Sequence, residues 1–298
     1  NVKDNNIKYV NGIDGPANKN RLCVKGRFGF DYVSNPERLT KPLIRIKDKE
    51  KDLHPSIHFS NLHDYFREAT WEEALDHAAN GILKLRKNDF KNKSSLAGFG
   101  SAKCSNEEAY LFQKLIRTGF KTNNVDHCTR LCHASSVAAL LETIGSGAVT
   151  APFYEVEHSE VIIVIGANPT ENHPVAATFF KNAAKKGAKL IVMDPRGQAL
   201  RKHASHMLQF KPGTDVAMMN SIMNVIVEEG LYNSEYIDDR TLGFEDLKKE
   251  LQSYTPEKME KISGIQASVI KDVARIYANT KKGLIFWGMG VSQHIHGT

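Results

Sequence analysis

Two cysteines, each next to a histidine, are the first residues whose spacing could support chemistry. Cys128 and Cys132 lie four positions apart, with His127 beside the first and His133 beside the second. Thiolates and imidazoles are common zinc ligands, so a structural zinc site is one interpretation of this segment. Zinc sites of this kind usually draw on a second, matching pair of cysteines. The two remaining cysteines are solitary, which makes zinc the weaker interpretation.

Cys132 differs from the other cysteines in its surroundings. It follows Arg130 in a segment that is predicted to be a polar loop, and a helix is predicted to begin near Ala134. A helix N-terminus and a nearby arginine both favour the thiolate, which is the form that ligates a soft metal. The imidazole of His133 can accept a proton near neutral pH. Cys132 and His133 are therefore a candidate reactive pair.

Residues suited to a nucleotide-like ligand follow the predicted strands. Val161–Gly166 and Leu190–Asp194 are apolar runs typical of parallel strands buried on both faces, and a helix predicted from Pro174 to Lys186 joins them in a βαβ unit. Ligands of open parallel sheets bind beyond the carboxyl ends of the strands. The residues at these ends, or before the next helix, are Gly166, Asn168, Asp194, Arg196, Gly213 and Asp215, with Gly288, Met289 and Gly290 after a last strand at 284–287.

Each of these residues also has an ordinary structural explanation as a turn or cap residue. Glycine, however, lets a ligand approach the backbone, aspartate can bind ribose hydroxyls or a guanine edge, and arginine can bind phosphate with two hydrogen bonds. Four such segments at strand or helix ends favour a nucleotide-like ligand over four unrelated turns. The three-glycine fingerprint of dinucleotide-binding domains is missing at these strand ends, so a simple NAD-binding domain is not expected.

The elements that must position these residues form an alternating pattern. Residues 1 to about 55 are polar and interrupted by glycine and proline, which predicts a small irregular lobe with a solvated loop at 47–52. Thr70 and Glu73 have the spacing of a capping box at the start of a helix, and Leu96–Phe99 is typical of a buried strand. Helices that alternate with parallel strands indicate an α/β fold.

The composition narrows the class of protein. The net charge of +6 is spread along 298 residues, which argues against a nucleic-acid surface and suits an anionic ligand. No apolar run approaches the ~20 residues that a membrane span needs. Four cysteines are too few for a disulfide scaffold of this size, which favours a reducing cytoplasm. Cys104 and Cys128 are expected to be buried as small apolar side chains.

The chain resembles the molybdopterin oxidoreductase family, and specifically formate dehydrogenase catalytic (alpha) subunits. The segments that carry the likeness run along the whole chain: Arg21–Gly26, Thr122–Asp126, Cys128–Val137, Gly166–Pro174, Asp194–Arg196, Gly213–Asp215 and Trp287–Val291. The resemblance implies an α/β fold with the Rossmann-like parallel layers of that family and a small irregular N-terminal lobe. It divides the chain into a remnant of an iron–sulfur cluster lobe (1–58), the first part of an α/β domain (59–127) and an α/β domain that binds a pterin dinucleotide (128–298).

By this resemblance, Cys132 would coordinate molybdenum and His133 would handle the proton of the substrate. Cys23 would be the last of four cysteine ligands of a [4Fe-4S] cluster, and Lys25 would lie between that cluster and a pterin. The implied cofactor is molybdenum bis(molybdopterin guanine dinucleotide). Its nucleotide end would be held by Gly166, Asn168, Asp194, Arg196, Gly213 and Asp215, with Met289, Gly290 and Gln293 nearer the metal.

The implied reaction is the oxidation of formate to carbon dioxide. Two electrons would pass to the [4Fe-4S] cluster and on to an acceptor domain or subunit, for which an NAD-linked acceptor is an option. The family pattern has three more cluster cysteines before Cys23, which this sequence lacks, and several hundred further residues beyond Thr298. The incomplete ligand set and the absent domains mean that the fragment by itself is expected to be inactive.

Two alternatives remain open. One is a nitrate reductase or another molybdopterin oxidoreductase. Related nitrate reductases also have a cysteine at this position but tend to follow it with methionine, so His133 favours formate. The other alternative is a non-catalytic nucleotide-binding module with the same fold.

Overall fold

A computed structural model describes residues 1–16, 18–47, 56–88 and 95–298. The strands are β1 (Val2–Lys3), β2 (Asn6–Ile7), β3 (Leu43–Arg45), β4 (Phe66–Glu68), β5 (Gly98–Gly100), β6 (Val125–His127), β7 (Val161–Ile165), β8 (Lys189–Met193), β9 (His206–Leu208) and β10 (Gly283–Trp287). The α-helices are α1 (Val24–Phe28), α2 (Trp71–Asn88), α3 (Asn106–Lys114), α4 (Thr129–Cys132), α5 (Ala134–Ile144), α6 (Pro169–Asn172), α7 (Pro174–Lys185), α8 (Asp215–Glu228), α9 (Ser234–Arg240), α10 (Phe244–Leu251), α11 (Pro256–Ser263), α12 (Ala267–Ala278) and α13 (Met289–Ser292).

The chain forms two compact units. The first comprises Asn1–Asn11 and Val24–Arg130, and the second comprises Gly12–Cys23 and Leu131–Thr298. In the described part of the chain, no helix is both long enough and apolar enough to cross a membrane.

The first unit contains short strands and two longer helices. Its strands pair as β1 with β2 and β3 with β4, both antiparallel, and β5 with β6, parallel. Asp4 and Asn5 join β1 to β2 with positive φ angles of 54° and 57°, as a tight hairpin turn requires. Before residue 48, the described residues of this unit form only short elements, which agrees with the irregular lobe that the sequence predicts.

Side-chain caps fix where the two longer helices of the first unit begin. The amide of Glu73 donates to Thr70 Oγ1 (3.2 Å), as predicted, but the Glu73 carboxylate pairs with Arg67. A reciprocal capping box forms at α3 instead, where Glu108 N donates to Ser105 Oγ (3.2 Å) and Ser105 N donates to the Glu108 carboxylate (2.6 Å).

The second unit is built on a four-stranded parallel sheet with the strand order β10-β7-β8-β9. All five residues of β7 are buried, because helices cover both faces of the sheet. Ile163 and Ile165 belong to a core that includes residues of α8 and α12. Ile162 and Val164 point to the opposite face and belong to a core with residues of α7. The α/β fold with parallel strands is therefore confirmed.

Several details of the sequence prediction need correction. The strand expected at Leu96–Phe99 lies at Gly98–Gly100, and α7 and β8 each end one residue earlier than expected. Cys104 and Cys128, which were expected to be buried, are exposed. Most of the solvated loop expected at 47–52 lies outside the described residues.

Candidate functional site

The carboxyl ends of the central strands lie level with one another. The strand register pairs Trp287 with Ile165 and Ile165 with Met193, so the residues that follow these three positions share one edge of the sheet. The order β10-β7-β8-β9 places β8 and β9 on one side of β7 and the last strand, β10, on the other. The strand order therefore reverses between β7 and β10. Crevices at such reversal points are the usual ligand sites of open α/β sheets.

Two glycines let the loops after β7 and β10 meet at this reversal point. Gly166 has a φ of 60°, and a Cβ atom there would lie 2.7 Å from the amide nitrogen of Val291. A Cβ atom at Gly290 would lie 2.7 Å from Gly166 Cα. The Gly290 amide donates to the Gly166 carbonyl (2.9 Å). Both positions require glycine because the two backbones are in direct contact.

The aspartate that follows β8 is buried and hydrogen-bonded. Asp194 Oδ1 accepts a hydrogen bond from the Arg196 amide (2.8 Å), and Oδ2 accepts one from Gln198 Nε2 (3.3 Å). The same Gln198 nitrogen donates to the Ala167 carbonyl (2.7 Å), which ties the loop after β8 to the loop after β7. Gln198 is 5% exposed, and among the described residues its Oε1 atom has no hydrogen-bond partner.

The second predicted aspartate begins helix α8. Asp215 is 8% exposed, and its Oδ2 atom has no hydrogen-bond partner within the described chain. Burial raises the pKa of Asp215, and the negative charge of Asp194 adds to that effect. The backbone amide at the start of α8 and His294, whose Nε2 lies 3.7 Å from Oδ2, act in the opposite direction. Asp215 thus holds an acceptor oxygen in a desolvated position near Asp194.

The remaining predicted nucleotide-binding residues differ in exposure. Asn168 is buried, and its Oδ1 atom accepts a hydrogen bond from Thr170 Oγ1 (2.6 Å). Arg196 and Gly213 are exposed, and Gly213 adopts a φ of 80° in the turn before α8.

Cys132 and His133 lie at a junction between two helices of the chain. Cys132 is the last residue of the four-residue helix α4 rather than part of a polar loop, which corrects the prediction. His133 occupies the N-cap position of α5, which begins at Ala134 as expected. Cys132 is half-buried and His133 is exposed. The adjacent backbone positions therefore present a thiol and an accessible imidazole side by side.

The segment after β10 contacts the residues around Cys132. The Cys132 thiol lies 3.3 Å from Met289 Sδ, and Gln293 Nε2 donates to the Leu131 carbonyl (2.6 Å). The structure thus brings Met289 and Gln293, two residues predicted to lie near the metal, together with Cys132. Sequence reasoning missed Gln198 and also three residues that hydrogen-bond across the same segment: Ser136, Trp287 and Ser292.

Two other predicted residues lie near the N-terminus. Cys23 is half-buried and directly precedes α1, and Lys25 is exposed within that helix. A [4Fe-4S] cluster needs four thiolate ligands. Among the residues that the structure describes, no three His, Cys, Asp or Glu side chains converge on a possible metal position.

The first unit contains a separate cavity of about 510 Å³ beside β5, β6 and α3. Its ionised side chains have partners within the unit: Glu108 caps α3, Arg117 bonds to Asn123, and Asp126 bonds to Arg130. The amide of His127 and the guanidinium of Arg130 lower the pKa of Asp126. These groups are satisfied without a ligand.

The residues at the sheet edge fit the nucleotide end of a pterin dinucleotide. Asp194, Asp215 and Gln198 provide acceptor oxygens, two of which lack a hydrogen-bond partner in the described chain. Ribose hydroxyls and the guanine edge carry the complementary donors. The thiolate of Cys132 would be a suitable ligand for the metal of such a cofactor.

Comparisons with known proteins agree with this chemistry. The family model described as molybdopterin oxidoreductase matches residues 38–298, and the model described as molybdopterin oxidoreductase Fe4S4 domain matches residues 1–35. These two families indicate a molybdopterin cofactor and a [4Fe-4S] cluster.

Individual relatives match most of this chain but only part of their own length. The alpha subunit of an F420-dependent formate dehydrogenase from Methanocaldococcus jannaschii is 40% identical over 282 residues, which cover 95% of this chain and 38% of the relative. Formate dehydrogenase H from Escherichia coli is 34% identical over 300 residues, which cover 99% of this chain and 40% of the relative. The chain thus spans about two fifths of the length of these curated relatives.

A solved structure shows the same fold. Acetylene hydratase from Pelobacter acetylenicus matches with a TM-score of 0.77 at 24% identity, covering 93% of this chain and 36% of that one. At this identity the likeness concerns the fold alone. The family model, in contrast, covers well over half of the sequence. The chain therefore belongs to the molybdopterin oxidoreductase family.

Proposed function

We propose that this chain is part of the catalytic subunit of a molybdenum-dependent formate dehydrogenase, which oxidises formate to carbon dioxide. The observation that carries the proposal is the adjacent pair of Cys132 and His133 at the start of α5. The sheet edge of the same unit offers acceptor oxygens that have no hydrogen-bond partner among the described residues. Two relatives that match most of the chain, at 40% and 34% identity, are named formate dehydrogenases, which supports formate as the substrate.

The reaction converts formate into carbon dioxide, one proton and two electrons. When bound, the molybdenum cofactor supplies the acceptor for the two electrons. Cys132 ligates the metal through its thiolate, which favours a soft, polarisable ion. His133 takes up the proton, because its imidazole is exposed beside the thiolate and can exchange that proton with solvent.

The cofactor we propose is molybdenum bis(molybdopterin guanine dinucleotide). Gly166, Asn168 and Asp194 belong to its nucleotide-binding edge, together with Arg196, Gly213 and Asp215. Asp194 and Asp215 accept hydrogen bonds from the ribose or the base, and the exposed guanidinium of Arg196 binds phosphate. Met289, Gly290 and Gln293 lie nearer the metal, and the contact between Met289 and the Cys132 thiol supports this assignment.

The N-terminal residues have a proposed role in electron transfer. Cys23 is one ligand of the [4Fe-4S] cluster, and Lys25 provides positive charge between the cluster and a pterin. The match of the Fe4S4 family model to residues 1–35 supports this assignment. The corresponding division of the chain is 1–58, 59–127 and 128–298. The electron acceptor is a further domain or subunit, either NAD-linked or of the F420-dependent kind named for one relative. Four cysteines in 298 residues are too few for a disulfide scaffold, which supports a cytoplasmic location.

The test uses the full-length parent protein, purified after expression with molybdenum supplied. Wild type, Cys132→Ala and Cys128→Ala are compared for molybdenum content and for reduction of a viologen dye with formate. Cys128 is the matched control because it is an exposed cysteine four residues earlier in the chain. We expect Cys128→Ala to retain activity and Cys132→Ala to lose at least about a hundredfold, a loss typical of removing a group that acts directly in the chemical step.

Other results assign the chain differently. Molybdenum without formate oxidation, but with reduction of nitrate, would identify a nitrate reductase. A full-length protein without molybdenum would leave a nucleotide-binding module, and full activity in Cys132→Ala would overturn the role of this cysteine.

A further inference from the structure

We propose that Trp287, Ser136 and Ser292 form a positioning network that fixes the direction of the Cys132 side chain. The proposal rests on the proposed function, in which Cys132 is a metal ligand. The sequence assigned no role to any of these three residues, although Trp287 and Ser136 lie in segments that carry the family resemblance. They are positioning residues, because each acts on Cys132 through the backbone and not by touching the metal.

The network connects two segments of the second unit. We name residues 131–136 the cysteine turn and residues 287–293 the clasp. Trp287 Nε1 in the clasp donates to Ser136 Oγ (2.9 Å), and Ser136 Oγ is hydrogen-bonded to Ser292 Oγ. Ser135 Oγ donates to the Ser292 carbonyl. The clasp thus binds the cysteine turn on the C-terminal side of Cys132.

The clasp also binds the cysteine turn on the N-terminal side of Cys132. Gln293 Nε2 donates to the Leu131 carbonyl (2.6 Å), and Met289 Sδ contacts the Cys132 thiol itself. Cys132 is therefore held between two sets of hydrogen bonds that come from one short segment. Since the clasp continues directly from β10, it joins the cysteine turn to the edge of the buried sheet.

The burial of the two serines shields this network from water. Ser136 is 9% exposed and Ser292 is 5% exposed, so neither hydroxyl can readily exchange its partner for water. The indole nitrogen can only donate, so Ser136 Oγ is its acceptor. Ser136 Oγ and Ser292 Oγ share a second hydrogen bond, in which either hydroxyl can be the donor, so the chain of hydrogen bonds from Trp287 to Ser292 is continuous. Removing the indole N–H leaves the first acceptor of a buried network without its donor.

Packing of α5 against the clasp, which includes α13, is the simpler explanation of these contacts. Packing alone predicts that substitutions lower stability and leave the chemistry of Cys132 unchanged. Positioning predicts a changed reactivity of the Cys132 thiol and a changed metal environment at full metal content. The two explanations therefore differ in measurable quantities.

The first experiment uses the full-length parent prepared without molybdenum. The rate of alkylation of Cys132 by iodoacetamide is measured by mass spectrometry for Trp287→Phe, Ser136→Ala and the double variant. Trp71→Phe is the matched control, since Trp71 is the only other tryptophan of the chain and lies in α2 of the first unit. We expect each single variant to change the rate by about fivefold to tenfold, the effect of losing one buried hydrogen bond, and the control to leave it unchanged.

The double variant tests whether the residues act through one hydrogen bond. If they do, Trp287→Phe combined with Ser136→Ala changes the rate no more than the larger single change. Ser136→Thr keeps the hydroxyl and is expected to restore most of the wild-type rate. Additive changes, or no recovery in Ser136→Thr, would overturn the network.

The second experiment uses the molybdenum-loaded parent. For Trp287→Phe and Ser136→Ala, we expect the metal content to equal that of wild type and the EPR spectrum of the molybdenum to differ. We also expect kcat to be lower by about tenfold and the KM for formate to stay within about twofold of wild type. Wild-type alkylation rates, kcat and spectra in both single variants would reject positioning. If Cys132 does not bind the metal in the wild-type parent, the proposed function is rejected. The positioning network would still be tested, because the alkylation measurement does not depend on the metal.

Discussion

The two units of the molecule bury their apolar side chains to very different extents. In the second unit, β7 is buried along its whole length and both faces of the sheet carry a core. In the first unit, large apolar side chains such as Phe99 in β5, at 83%, and Trp71 in α2 are exposed in the structure. A site on the sheet edge of the second unit therefore rests on close-packed elements, which are best able to hold side chains in a fixed geometry.

The largest expected effect contrasts one strand residue from each unit. Ile162 in β7 is fully buried, so Ile162→Ala should lower the free energy of unfolding of the second unit by about 3–4 kcal/mol, because it leaves a cavity. Phe99→Ala should cost less than about 1 kcal/mol, because the ring is exposed. Hydrogen exchange of the β7 and β5 amides in the full-length parent, measured at increasing urea concentrations, reports both values. Equal losses would remove the distinction between the units.

A smaller effect is expected at the glycine contact of the sheet edge. Gly166→Ala should lower stability by about 3 kcal/mol, because its positive φ is strained for alanine and its Cβ would collide with backbone atoms. Gly145 also has a positive φ, of 73°, but has open space around it. Gly145→Ala should therefore cost only about 1 kcal/mol. Thermal unfolding of both full-length variants measures the difference, and a Gly145→Ala loss as large as that of Gly166→Ala would mean that the backbone contact contributes nothing.

The smallest expected effect compares one carboxylate from each unit as a function of pH. Burial raises the pKa of Asp215, so the folded protein binds this proton more tightly than the unfolded chain does. The stability associated with Asp215 is therefore greatest below the ordinary carboxyl pKa and declines as the pH rises through the raised value. At pH values above the raised pKa of Asp215, Asp215→Asn should raise the Tm of the cofactor-free parent. At pH values below the ordinary carboxyl pKa, the substitution should leave the Tm unchanged.

Asp126 in the first unit should behave in the opposite way. The His127 amide and Arg130 lower the pKa of Asp126, which stabilises the folded protein above the ordinary carboxyl pKa. That stability is lost as the pH falls through the lowered value. Asp126→Asn should therefore lower the Tm near neutral pH, and the difference should disappear in acid. Parallel pH profiles for the two variants would contradict the assigned environments.

The second unit could be predicted from the sequence more closely than the first. The strands β7, β8 and β10 lie within one residue of their predicted ends, because a continuous apolar run bounded by glycine or aspartate is a strong local signal. Cys132 was assigned to a loop because α4 has only four residues, too few for a helical periodicity to be visible. Cys104 and Cys128 were expected to be buried on residue type alone, and their exposure depends on tertiary structure.

Several site residues could be predicted from their position directly after a strand. Gly166 and Asp194 were identified in this way, and the structure places both at the shared sheet edge. Gln198 and Ser136 could not be identified, because their roles depend on partners that are 31 and 151 positions away in the sequence. Contacts at such separations leave no pattern in a single sequence.

The most direct test of the central claim is X-ray absorption spectroscopy at the molybdenum edge of the full-length parent. Wild type, Cys132→Ser and Cys128→Ser would be compared at equal molybdenum content. We predict that Cys132→Ser alone replaces one sulfur neighbour of the metal with oxygen. An unchanged number of sulfur neighbours in Cys132→Ser would show that this cysteine does not bind molybdenum and would contradict the account.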